Sequence, residues 1–196
     1  MINYGVREHA MGAINNGLNQ HGGLISFAAT FFVFSDYLRP VLRISALSDT
    51  GSIWVFTHDS IMVGEDGPTH QPVEHLAAVR AIPNLVTLRP ADANEVSEAW
   101  KIAIERRNAP TLLALTRQNV PVFDREKFAS ANGLEKGAYV MADLGPGPVQ
   151  LVLMATGSEV ELIVKAAETL AADGVSVRVI SMPSWELFEM QSKEYQ

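Results

Sequence analysis

The sequence predicts an α/β fold in which a parallel sheet is flanked by helices. Short apolar runs of strand-forming residues alternate with amphipathic helical stretches along the chain. Glycine and proline punctuate most of the junctions between them. A loop dense in ionisable residues, Thr57 to Glu74, follows an apolar run ending at Phe56, which is where open α/β sheets bind ligands.

Met1 to Val6 carries little signal. Glu8 to His21 reads as a helix, because Met11, Ile14 and Leu18 share one stripe. Gly22 and Gly23 end it. Leu24 to Ala28 reads as a short strand. Thr30 then caps a second helix carrying Phe31, Phe34 and Tyr37 on one side, with Leu38, Val41 and Leu42 extending the apolar face. Pro40 is expected to kink or break it. Ser48 to Ser52 is a turn, and Ile53 to Phe56 a buried strand.

Beyond the polar loop, Val73 to Ile82 reads as a helix with Pro72 in its first turn and Pro83 as its stop. Leu85 to Leu88 is a strand. Asp92 and Glu95 have capping-box spacing, and Val96, Ala99, Ala103 and Ile104 supply the inner face of the helix they open. Thr111 to Leu115 is a strand ending in Thr116-Arg117-Gln118. Residues 126–148 are rich in charge, glycine and proline and read as a linker. Val149 to Ala155, a helix capped by Ser158 and Glu161, and Val175 to Ser181 form one βαβ unit. A single such unit does not cover both faces of its sheet, so this second domain is expected to be incomplete and the chain to self-associate.

Composition narrows the function. The 196 residues are 47% hydrophobic and 19% charged, as in a globular protein. A net charge of −7 argues against nucleic acid and anionic membrane as partners. No apolar run is long enough to span a bilayer. Zero cysteines exclude disulfides and thiolate metal sites and fit a reducing cytoplasm.

Two of the five histidines lie in the polar loop. A metal cluster of His58, Asp59, His70 and His75 has no helical i, i+4 spacing to support it, and a pocket that hydrogen-bonds a hydroxylated or charged ligand is the better reading. A metal-dependent hydrolase built on His58 and Asp59 is the least favoured function. Phe31, Phe34 and Tyr37 suit either a core stripe or a wall for a planar ring. Arg117, at a strand's C-terminal end, suits a phosphate or carboxylate, since its fork of donors binds such groups in pairs.

At Gly5 to His9, Ala29 to Tyr37, Thr57 to Glu74, Arg89 to Asp92, Leu115 to Gln118 and Ala155 to Val160 the chain resembles the transketolase family, the thiamine-diphosphate enzymes of sugar-phosphate metabolism. The loop from His58 to Pro72 is the most specific of these motifs. The resemblance implies a thiamine-diphosphate-binding fold. Residues 1–125 would form an N-terminally truncated pyrimidine-binding domain, 126–148 a linker, and 149–196 the start of a C-terminal domain. It implies that Glu8 contacts the aminopyrimidine, that Phe31, Phe34 and Tyr37 enclose that ring with Phe34 stacking on it, and that His70 lies beside the reacting carbon. His58, Asp66 and Arg117 would bind the sugar phosphate, with His58 and His70 relaying protons.

The activity implied is transfer of a two-carbon ketol unit from a ketose phosphate to an aldose phosphate. No Gly-Asp-Gly segment followed by paired asparagines occurs, so no metal ligand is assigned here. The magnesium and diphosphate would be held by a diphosphate-binding domain outside this chain, and the chain alone would carry half a site and be inactive. A non-catalytic binding module that keeps the fold is the alternative. Met62 departs from the glycine usual in this loop.

Overall fold

The structure, a computed structural model, describes residues 1–196. The chain divides into two compact units, residues 1–88 with 101–118, and residues 89–100 with 119–196. No helix is long and apolar enough to cross a membrane.

The first unit is built on a four-stranded, all-parallel sheet. Helix α1 (Glu8–His21) is followed by β1 (Phe27–Phe31), α2 (Ser35–Leu47) and β2 (Ile53–Thr57), and later by α3 (His75–Arg80), β3 (Val86–Leu88) and β4 (Thr111–Leu115). The spatial order is β1-β2-β4-β3. Buried Trp54, Phe56, Leu112 and Ala114 pack with Phe32, Leu38, Val41 and Leu42 into one core. The two central strands are nearly continuous apolar runs because both of their faces are covered.

Three local expectations are revised here. Strand β1 begins three residues later than predicted and runs through Phe31, so Phe31 is a strand residue and a short 3-10 turn, Phe32–Phe34, separates it from α2. The apolar stripe at i, i+3 and i+6 therefore bridges two elements. Helix α2 passes unbroken through Pro40. The unmade bond is to Asp36, whose first-turn position is exposed to solvent. Helix α3 is shorter than the predicted Val73 to Ile82, since Pro72 to Glu74 stay in the loop.

The second unit holds a three-stranded sheet of order β5-β7-β6. Strand β6 (Leu151–Ala155), helix α5 (Glu159–Ala172) and β7 (Val177–Ser181) form the predicted βαβ unit, with β6 and β7 parallel. The region read as a linker is not featureless: it contains a 3-10 turn, Ala131–Lys136, and a strand, β5 (Tyr139–Leu144), which pairs antiparallel with β7. A shift of register between Val140 and Ala142, together with flanking glycines and prolines, hides the strand's period from the sequence. Met141, Val160, Val164, Ala167, Val177 and Val179 are the centre of its core. A short helix, α6 (Trp185–Glu189), follows.

Helix α4 (Ala93–Glu105) carries residues of both units. Its capping box is real but shifted. Asp92 Oδ1 accepts from Glu95 N–H at 2.9 Å, and Glu95 Oε2 reaches back to the amide of Ala91 at 2.8 Å. Ala99 and Ala103 are buried as expected, whereas Ile104 is exposed; Glu95, not expected in the interior, is fully buried. On α5 the expected pair does not close: Ser158 makes no cap to the helix, and Glu161 pairs with Lys165 instead.

Candidate functional site

The parallel register of the first sheet decides where the site lies. Phe31 aligns with Thr57, and Thr57 with Leu115. The residues just past these positions therefore emerge side by side at one edge: the Phe32–Phe34 turn, His58, and Thr116 with Arg117. Parallel strands release all their C-terminal loops on the same edge, which is why residues far apart in sequence meet here.

Aromatic rings and imidazoles form the centre of this edge. Phe31 meets His58 with ring centroids 5.0 Å apart and His70 at 5.5 Å, both edge to face. Phe34 meets His70 at 5.3 Å and Tyr37 at 6.0 Å, and Phe31 and Phe34 lie 6.2 Å apart. The spacing is that of favourable aromatic pairs, T-shaped in all but the tilted Phe34–Tyr37 contact. Phe31, Phe34, His58 and His70 are half-buried, so part of each ring remains open; Tyr37 is exposed. His58 Nδ1 is buried and has no hydrogen-bond partner, which leaves one polar atom unsatisfied inside an apolar wall.

The loop carrying His58, Asp66 and His70 is held by a hub at Ser60. Its Oγ donates to Gln118 Oε1 at 2.9 Å and accepts from the amide of Met62 at 3.1 Å and from Thr116 Oγ1 at 3.2 Å. Its carbonyl accepts from Gln71 Nε2 at 2.8 Å. The amide of Asp59, two residues beyond β2, donates to Leu115 O at 2.8 Å and ties the loop to β4. Between these anchors the chain makes two short 3-10 turns, Ile61–Asp66 and Pro68–His70. Gly64 and Gly67 have φ of 83° and 77° with ψ of −130° and −174°, combinations open essentially to glycine alone. Met62 needs no such freedom at φ −89°, ψ 24°, so the departure noted in the sequence costs the backbone nothing.

Of the sequence-predicted residues, the structure brings together Phe31, Phe34, Tyr37, His58 and His70. Arg117 is exposed and lies over the loop, its Nη1 3.8 Å from where a side chain on Gly64 would begin. Asp66 is exposed on the same loop. Glu8 stands apart: it opens α1, half-buried, and makes no hydrogen bond or ion pair with the cluster. Ser60, Gln71, Thr116 and Gln118 were not singled out in sequence. Their signal is faint, consisting only of small polar residues just beyond two buried strands.

A planar heteroaromatic ring fits what is present. The half-open faces of Phe31 and Phe34 offer stacking surface, and the half-buried rings of His58 and His70 border it. The exposed Arg117 and the loop amides suit an anionic substituent further out.

Comparison with known proteins bears on this edge. A family model described as the pyrimidine-binding domain of transketolase matches residues 1–122, and one described as a transketolase-like C-terminal domain matches residues 137–196. The transketolase of Geobacillus stearothermophilus is 57% identical over 192 residues, covering 98% of this chain and 29% of that protein. A solved structure of the Pichia stipitis transketolase in complex with sedoheptulose 7-phosphate aligns with a TM-score of 0.90 at 47% identity, over 99% of this chain and 28% of that one. A split-gene transketolase, described as an inactive β4 tetramer, aligns with a TM-score of 0.77 at 29% identity, over 94% of this chain and 57% of that one. The chain thus spans about 29% of the length of the curated relatives it matches.

Proposed function

The chain belongs to the transketolase family, and from that premise we propose that it forms the ring-binding and substrate-orienting side of a thiamine-diphosphate site for ketol transfer between sugar phosphates. The observation that carries this is the convergence of Phe31, Phe34, His58 and His70 at one sheet edge, with a buried imidazole nitrogen left unpaired among them.

Thiamine diphosphate, when bound, supplies the nucleophilic carbon on which a two-carbon unit is carried. This chain's part is positioning. Phe34, with Phe31 and Tyr37, stacks on and encloses the aminopyrimidine. Glu8 holds a proton at the pyrimidine nitrogen facing it, provided the opposite side of the pocket closes over that carboxyl and removes it from water. His70 would lie on the side of the reacting carbon, and His58 would donate to or take protons from substrate oxygens. Asp66 fixes a hydroxyl, and Arg117 grips the phosphate in a bidentate clasp. The diphosphate and magnesium are assigned to a diphosphate-binding domain outside residues 1–196, so these residues alone would hold half a site. The inactive β4 tetramer described for a split-gene transketolase supports both the lack of activity in isolation and self-association.

The test is a coupled assay with xylulose 5-phosphate, ribose 5-phosphate, thiamine diphosphate and magnesium. The chain alone is expected to show no turnover, and addition of a transketolase diphosphate-binding domain is expected to restore it. Turnover by the isolated chain overturns the half-site reading. Association with the added domain without turnover favours a non-catalytic binding module instead.

A further inference from the structure

His75, the first residue of α3, is 3% exposed, and neither of its ring nitrogens has a hydrogen-bond partner. A neutral imidazole carries one donor and one acceptor. Leaving such groups unmade in the interior costs about 1–3 kcal/mol each. The ring is backed by Phe32, centroid to centroid 6.0 Å, which bars water from that side. Two carboxylates face the two nitrogens. Asp36 Oδ2 lies 3.3 Å from Nε2, and Glu74 Oε2 lies 4.0 Å from Nδ1. One oxygen of each carboxylate and one ring nitrogen lie within 4.8 Å of one another.

We propose that Asp36, Glu74 and His75 form a binding site for a divalent transition-metal cation of the Zn²⁺ type, with water completing the coordination. Ligand atoms about 2.1 Å from one ion at near-tetrahedral or octahedral angles lie roughly 3.0–3.5 Å apart. The Asp36–His75 pair already has that spacing. The ion would sit on Nε2 beside Asp36; Glu74, whose Oε2 is 4.0 Å from Nδ1, is 72% exposed and its carboxylate can swing across to that side. Two carboxylates balance the ion's charge and can also hold manganese, and the imidazole favours zinc over magnesium, whose preferred ligands are oxygen. The three residues come from the first turn of α2 and the start of α3 and are separate from the ring cluster. The site therefore stands whether or not the ketol-transfer reading does.

Isothermal titration of the intact chain with Zn²⁺ and with Mn²⁺ tests it. One equivalent is expected, with zinc the tighter, and Mn²⁺ is expected to broaden the His75 ring signals before those of His9, His21, His58 and His70. His75→Ala is expected to weaken the site at least tenfold. Because a buried substitution can impair folding, the exposed pair Asp36→Asn with Glu74→Gln is the second variant. It is expected to lose binding with its unfolding temperature unchanged. Absence of saturable binding, or binding at full strength in that double variant, overturns the proposal. The carboxylates would then be only ion-pair partners of His75.

Discussion

The phenol of Tyr139 donates to Glu95 Oε1 at 2.8 Å, tying a strand to a helix residue 44 positions earlier in the chain. Ser181 Oγ donates to the same oxygen at 2.7 Å, and Arg125 Nη1 donates to the phenolic oxygen at 3.1 Å. Arg125 Nη2 also pairs with Asp92 at 2.9 Å. One fully buried carboxylate thus organises the polar interior of the second unit. Tyr139→Phe removes a donor from Glu95 and an acceptor from Arg125. A loss of about 1–3 kcal/mol is expected, as for other buried polar groups left short of a partner. The check is urea denaturation, which should show a lower midpoint and an unchanged slope.

The same carboxyl makes stability pH-dependent. Burial pushes the Glu95 pKa up from its ordinary 4.5, and the three hydrogen bonds from Ser181, Ala91 and Tyr139 offset only part of that shift. Its folded state therefore binds a proton more tightly than its unfolded state. The stabilisation that results is complete below about pH 4.5 and is lost as pH rises through the raised folded value. Glu95→Gln does not titrate. The stability of the native chain relative to this variant should fall from pH 4.5 towards neutrality, as followed by unfolding at matched pH; a gap constant with pH contradicts the assignment.

Gly137 has no room for a side chain. Its φ is +81°, and a Cβ there would lie 2.2 Å from the amide nitrogen of Phe188 and 2.4 Å from the carbonyl oxygen of Ser184. Both are backbone atoms, Ser184 as the N-cap of α6 and Phe188 within that helix, and Gly137 O accepts from Ser184 N at 3.0 Å. Gly137→Ala combines positive-φ strain with a backbone collision. It is expected to cost about 2–5 kcal/mol, from roughly 1–2 for the conformation and 1–3 for overpacking. Thermal unfolding measures this. Gly174, with φ of +86° and open space around it, is the control and should lose only the conformational part on change to alanine.

The fold was legible in sequence where a period or a cap was unambiguous. Helix Glu8–His21 and strand Thr111–Leu115 fall at the predicted residues, because Gly22 takes the left-handed C-cap and Pro110 bounds the strand. The second unit was harder to read. Tyr139–Leu144 alternates buried and open positions, but Asp143 and the glycine-proline run after it disguise a strand as a connection. Glu95 is a further case: a capping acid is ordinarily exposed, and nothing local says that Tyr139 and Ser181 will enclose it. In the candidate site, Phe31, Phe34, His58 and His70 were found through the specificity of their motifs. Their convergence depends on the Phe31–Thr57–Leu115 register, which no single segment encodes. Asp36 was invisible as a partner of His75, because their meeting depends on how α2 and α3 pack.

Ser60 is the residue on which the loop geometry turns. Its hydroxyl is shared among the Met62 amide, Thr116 and Gln118, and the residue is 7% exposed. Ser60→Ala leaves the Met62 N–H without its partner, at about 1–3 kcal/mol, while Gln118 Oε1 keeps its bond from Thr116 Oγ1. The cost falls on the loop rather than on the sheet, since β2 and β4 keep their ladder. Hydrogen exchange should therefore show the amides of Met62 and His70 losing protection by roughly five- to hundredfold, at about 1.4 kcal/mol per tenfold. The amides of Val55 and Leu113 should stay as slow as before. Ser60→Thr keeps the hydroxyl and should restore most of the protection, which separates the loss of these bonds from a general loosening of the site edge.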